Sequence, residues 1–207
     1  MKRIIVCMLA VVATVGFLSC SKARPPDIGE QIIMERVPGD RPNWVTRVPE
    51  DRDGRMFFTG MKTHGSSLEN AGTDARQNAI QKIIEYLGAS GMVDYTKARV
   101  EAGITDEGQA GNYIEDGFRL LAQSVAQGTR ETETYYEHVK EWQLDGWHYF
   151  YNSYVLLSVA QTDLQRAAAA AFERQAAEAR AQNNARAEAF ANSLRSQLTP
   201  QSSTQGR

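Results

Sequence analysis

A chain of 207 residues with 42% hydrophobic residues suits one domain with extensions. Its net charge of −2 provides no broad basic surface, which argues against nucleic acid or anionic lipid as an electrostatic partner.

The chain begins with Lys2 and Arg3, runs through the apolar stretch IIVCMLAVVATVGFL from Ile4 to Leu18, and reaches Ser19 and Cys20 where the polarity changes. This is the layout of a bacterial export signal, with an apolar run shorter than the roughly 20 residues of a permanent span. The stretch Phe17-Leu18-Ser19-Cys20 resembles the lipobox of bacterial lipoproteins, although Phe17 stands where an aliphatic residue is usual. The resemblance implies cleavage between Ser19 and Cys20, lipidation of the Cys20 sulfur with fatty acyl chains such as palmitate, and Cys20 as the first mature residue. The alternative is an ordinary secretory signal, or an uncleaved anchor, with an incidental cysteine. Cys7 leaves with the signal peptide of residues 1–19, so the mature chain keeps one cysteine and forms no internal disulfide. Several acyl chains, at about 0.8 kcal/mol per buried methylene, make membrane attachment lasting. Ser21 lacks the aspartate that retains some lipoproteins in the inner membrane, so an outer-membrane location is expected.

Pro25, Pro26, Pro38, Pro42 and Pro49 crowd one early stretch, and residues 20–43 read as an extended tether. The domain is expected to span residues 44–160. Arg55 to Met61, RMFFTGM, follows the turn-forming Asp53-Gly54 and reads as a strand. Ser66 or Ser67 then offers an N-cap to a helix whose apolar stripe is Leu68, Ala71, Ala75, Ala79, Ile80, Ile83, Ile84 and Leu87, with Gly88 as its C-cap.

Between Gly91 and Gly111 the periodicity weakens, and extended structure is favoured there over a continuing helix. NYIEDGFRLLAQSVAQ places Ile114, Phe118, Leu121 and Val125 on one helical face. TRETETYYEHVKEW and WHYFYNSYVLLSVA, joined by Leu144-Asp145-Gly146, read as an antiparallel hairpin. From Thr162 the composition becomes strongly helix-forming, which predicts one alanine-rich helix over residues 161–198, of which the 36 residues from Asp163 would reach about 54 Å. Its first half is expected to dock and its second to project, for example against a partner helix. Residues 199–207 form a polar tail expected to be disordered.

Four short stretches, Pro42-Asn43-Trp44-Val45, Phe57-Phe58-Thr59-Gly60-Met61, Ala75-Arg76-Gln77-Asn78-Ala79 and Tyr154-Val155-Leu156-Leu157, resemble the Lpp-twenty family of conserved bacterial lipoproteins of about twenty kilodaltons. The resemblance covers residues 44–160. It implies an α+β fold with a helix packed on a small antiparallel sheet, similar to the dodecin arrangement, on a lipidated envelope protein. It brings no catalytic residues. The alanine-rich C-terminal helix is a departure.

No phosphate-binding glycine loop and no nucleophile elbow is present, so neither an enzyme nor a cofactor is expected. Gly60 and Gly65 read as turn glycines. Glu137 and Glu141 alternate away from His138 along a strand, too few convergent groups for a metal. Glu131 and Glu133 are expected on one strand face, keeping an edge soluble.

The remaining candidate is the aromatic cluster, with Trp142, Trp147, Tyr149 and Tyr151 as an interaction face. Core and cross-strand packing is the default reading, and a glycan or apolar ligand the alternative. The expected function is a lipid-anchored envelope protein that makes non-catalytic contacts with its own copies or other envelope proteins, or else binds a peptidoglycan fragment or small apolar ligand.

Overall fold

A computed structural model describes residues 24–198, so the signal peptide, Ser19, Cys20 and the polar tail lie outside the described residues. Four strands form one antiparallel sheet: β1 (Gln31–Val37), β2 (Arg55–Gly65), β3 (Arg130–Gln143) and β4 (Gly146–Ala160), in the order β1-β3-β4-β2. The helices are α1 (Leu68–Ala89), α2 (Tyr95–Glu101), α3 (Glu107–Gly128), α4 (Gln161–Ala181) and α5 (Ala185–Leu198). The chain is therefore an α+β protein.

α1 begins where the hydroxyl of Ser67 accepts a hydrogen bond from the Asn70 amide at 3.2 Å. Seven of the eight expected stripe residues are buried, from Ala71 to Leu87, while Leu68 stays 37% exposed. The helix extends one residue past Gly88, and Ser90 caps it. Its alanines allow close approach to β2 and β4. Gly60 lies at that contact and is no turn residue: a β-carbon there would sit 1.9 Å from the Ala75 carbonyl oxygen and 2.5 Å from the Ala79 amide nitrogen. Asn78 and Lys82 of the same helix close the outer edge of β2. Asn78 accepts from the Met61 amide at 3.2 Å, and the Lys82 ammonium donates to the Thr59 carbonyl at 2.7 Å.

The strand period divides the sheet into two faces. Met56, Val155, Leu157 and Val159 join the helices in the main core. Phe57, Tyr135, Tyr154 and Leu156 point the other way, where Trp44, in the 3₁₀ turn Asn43–Val45, closes over them. The four stretches quoted above thus meet at two contacts, FFTGM with ARQNA on the helix side and PNWV with YVLL on the other.

Several expectations are corrected. The stretch read as a tether contains β1, an edge strand paired to β3, because the proline-free QIIMERV suits a strand whose flanking prolines obscure it. Between Gly91 and Gly111, where extended structure was favoured, the chain forms the short helix α2 and the start of α3. The Asp94 carboxylate accepts from the Lys97 amide at 2.9 Å to start α2, and Asp106 accepts from Gln109 at 2.6 Å to start α3. Those caps, with burial of Val93, Ala98 and Ile104, outweigh the β-branched residues between them.

The single C-terminal helix is two. Asn183 takes the left-handed conformation at φ 56°, which asparagine tolerates better than most residues, and Asn184 accepts from the Ala187 amide at 3.1 Å to start α5. The second half therefore folds back onto α4 and α2, burying Phe190, Ala191, Leu194 and Leu198, and does not project. A bulge in β3 between Glu131 and Glu133 separates these two carboxylates. Glu131 meets Arg76 of α1 at 3.0 Å, and Glu133 accepts from the Trp44 indole at 2.7 Å.

The Tyr95 hydroxyl is buried near the Phe118 ring with no hydrogen-bond partner among the described residues, and burial pushes its pKa up to about 12. The unfolded chain ionises this tyrosine first, near pH 10, so its contribution is intact below that value. Stability should then fall by about 3 kcal/mol as pH rises to about 12. Tyr95→Phe should remove that loss and raise neutral-pH stability by about 1 kcal/mol, measured by urea unfolding across pH. A variant less stable at neutral pH would refute this reading.

Candidate interaction face

β3 and β4 are longer than β2, whose last paired residue, Gly65, lies opposite Tyr151. Beyond that point, among the described residues, the hairpin continues without a third strand on the β2 side, to the turn Leu144-Asp145 closed by the pair Gln143 and Gly146. Trp142 faces Trp147, Lys140 faces Tyr149, and His138 faces Tyr151, so the four expected interaction residues share one face, the side on which α1 lies further along the sheet. The rings form a continuous ladder. The Trp142 and Trp147 centroids are 5.3 Å apart in an edge-to-face contact, the Lys140 ammonium lies 4.7 Å from the Trp147 centroid, and His138 stacks on Tyr151 at 4.7 Å. Tyr149 is 58% exposed.

Because α1 packs on β2 and β4, β3 is left beside it with a groove of about 390 Å³, lined by Leu68, Thr73, Tyr136, Ser153 and Val155 among others. The exposed Leu68 and the Tyr136 ring connect this groove to the aromatic ladder. Apolar side chains, hydroxyls and the charged Glu69, Arg76 and Glu131 line it, a mixture that can bind a side chain or a sugar ring.

The opposite face of the hairpin mixes the apolar pair Val139 and Phe150 with polar residues. Glu141 accepts from Gln31 at 2.5 Å and meets His64 at 2.9 Å. The Gln31 amide first, and His64 after it, hold its carboxyl below the usual range. Asp145 bonds His148 at 2.7 Å and is likewise lowered by that contact. As strand alternation requires, Glu137 and Glu141 face away from His138. Among the described residues no group of three His, Cys, Asp or Glu side chains could hold a metal.

Glu137 is the residue that sequence reasoning missed. It is 1% exposed, and Arg41 from the proline-rich segment grips it through both carboxylate oxygens at 2.7 and 2.8 Å. The Tyr135 hydroxyl donates to the same carboxylate at 2.9 Å, and the Arg41 guanidinium lies 5.6 Å from the Tyr154 ring centroid. The hydrogen bond to Glu137 raises the Arg41 pKa, while burial, more than the carboxylate, raises Tyr135. With both oxygens engaged, Glu137 is placed to fasten the segment over the sheet, not to move protons. Its strand neighbours gave no signal, since the partner lies 96 residues away in sequence.

Comparison with protein-family models, curated proteins and solved structures finds no match to this chain. The architecture above defines it only as an α+β protein with a four-stranded antiparallel sheet and an aromatic hairpin face.

Proposed function

We propose that this chain is a lipid-anchored bacterial cell-envelope protein, held through Cys20 and most consistent with the outer membrane, whose α+β domain is a non-catalytic interaction or assembly module. The dodecin-like arrangement and kinship with the Lpp-twenty lipoproteins belong to the same proposal. The observation that carries the interaction role is the strip Tyr136, His138, Tyr149 and Tyr151 beside the α1 groove, aromatic surface on a sheet face that no helix among the described residues covers. No helix among the described residues is long and apolar enough to cross a membrane. In this reading the lipid at Cys20 is the attachment. The partner is another copy or a second envelope protein.

A second reading is favoured by the groove itself, whose size and mixed lining suit a peptidoglycan fragment or small apolar ligand. Crosslinking in intact cells, with and without Tyr151→Ala, separates the two. Loss of a defined protein adduct supports the assembly role, whereas unchanged crosslinks with lost glycan-fragment binding support the ligand role. For the anchor, Cys20→Ser is expected to abolish acyl labelling and move the folded domain to the soluble fraction. Retention of acyl label would sink the lipoprotein reading.

A further inference from the structure

The hairpin turn is the most exposed apolar point of the described chain, with Leu144 at 89% exposure. Around it lie Trp142, Trp147 and Tyr149, with the Lys140 ammonium over the Trp147 ring. Two partly exposed tryptophans, a tyrosine and a lysine around a bare leucine are the side chains that favour a membrane–water interface, where an apolar body can be buried while a polar tip stays wet.

The path of the N-terminal segment fixes which end of the domain faces its attachment point. The Gly29 amide donates to the Trp142 carbonyl at 2.8 Å, the Trp142 amide donates to the Glu30 carbonyl at 3.0 Å, and Gln31 bonds Glu141 at 2.5 Å. The chain thus leaves the sheet beside the hairpin tip, where Ile28 is also 68% exposed. Arg24 is bonded to Asp27 at 3.0 Å, and Cys20 lies four chain steps before it, a reach of at most about 14 Å. An acyl chain at Cys20 therefore holds the tip, and not the helices, near the bilayer.

We propose that the β3–β4 tip docks on the bilayer that carries the anchor, with Trp142, Leu144 and Trp147 in the headgroup layer. This rests on the lipoprotein reading above. Asp145 is ionised at neutral pH and bonded to His148, which keeps a charge at the turn and limits the contact to a shallow one. The arrangement leaves the α1 groove and the Tyr151 strip clear of the bilayer and open to a partner.

The test uses the full chain with its native lipid, reconstituted in phosphatidylcholine vesicles with and without phosphatidylcholine brominated near the headgroup end of its acyl chains. Trp44, 6% exposed on the other sheet face, serves as the internal reference. Brominated lipid is expected to quench the emission, and Trp142→Phe with Trp147→Phe should lose most of that quenching. Leu144→Asp, in an exposed turn where it costs no packing, should reduce it at least about twofold. Mass analysis of the Cys20 peptide reads the anchor separately. An acylated chain with equal emission in both vesicles overturns the docking and leaves the anchor standing, as does quenching that survives the double phenylalanine variant. A chain without acyl mass at Cys20 overturns both.

Discussion

Gly60→Ala is expected to destabilise the domain by at least about 3 kcal/mol, the upper end of overpacking costs, because the added methyl meets backbone and not a movable side chain. The ideal β-carbon position is 1.9 Å from the Ala75 oxygen, 2.5 Å from the Ala79 nitrogen and 2.8 Å from the Ala79 β-carbon. Only a displacement of α1 from β2 relieves that overlap. The displacement would also stretch the Asn78 and Lys82 bonds that seal the β2 edge, so the variant should aggregate more readily. Urea unfolding followed by circular dichroism measures the loss. Adding Ala79→Gly removes one methyl but neither backbone atom, so it should fail to restore stability; full rescue would show that the clash is with the side chain and refute the argument.

Arg41→Ala should cost about 3 kcal/mol, although Arg41 itself is 43% exposed. The cost arises at the partner: Glu137, at 1% exposure, is left in a buried site with only the Tyr135 hydroxyl to bond it. Arg41→Ala combined with Glu137→Leu should recover most of the loss, since a buried ion pair replaced by apolar volume is nearly neutral, less about 1 kcal/mol for the stranded Tyr135 hydroxyl. The single variant should also loosen the segment around Trp44 and shift its emission to longer wavelength, best read in the Trp142→Phe, Trp147→Phe background. A loss below about 1 kcal/mol would mean that solvent reaches Glu137 freely once Arg41 is gone.

These two sites differ in how they could be read. Gly60 is visible in the sequence as a glycine within a β-forming run, but its role as a contact point requires knowing that the Ala75 and Ala79 face of α1 lies on it. Read locally it passes for a turn residue. The Arg41–Glu137 pair is less legible still, because proline content marks residues 38–42 as extended chain but says nothing about what they cover. The aromatic face was legible to a large degree: alternation along a two-residue-turn hairpin puts Trp142, Trp147, Tyr149 and Tyr151 on one side once the Leu144-Asp145 turn is recognised. Whether a helix lies over that side was not, because it depends on where β2 ends relative to the tip.

Local chemistry was enough to place β2, α1, α3, β3 and β4, since a 3.6-residue or two-residue period, a serine cap and a tight turn act over a few residues. It also made Cys20 the residue with a chemistry to propose. The tertiary structure decided what depends on distant partners. β1 became a strand because β3 offered it an edge, and α5 folded back because Asn183 tolerates a left-handed turn and the core had room for Phe190 and Leu194. Glu137 could be buried only because Arg41 arrives from another part of the chain. In each case the decisive free energy comes from burial or pairing between residues far apart in sequence, which no local pattern encodes.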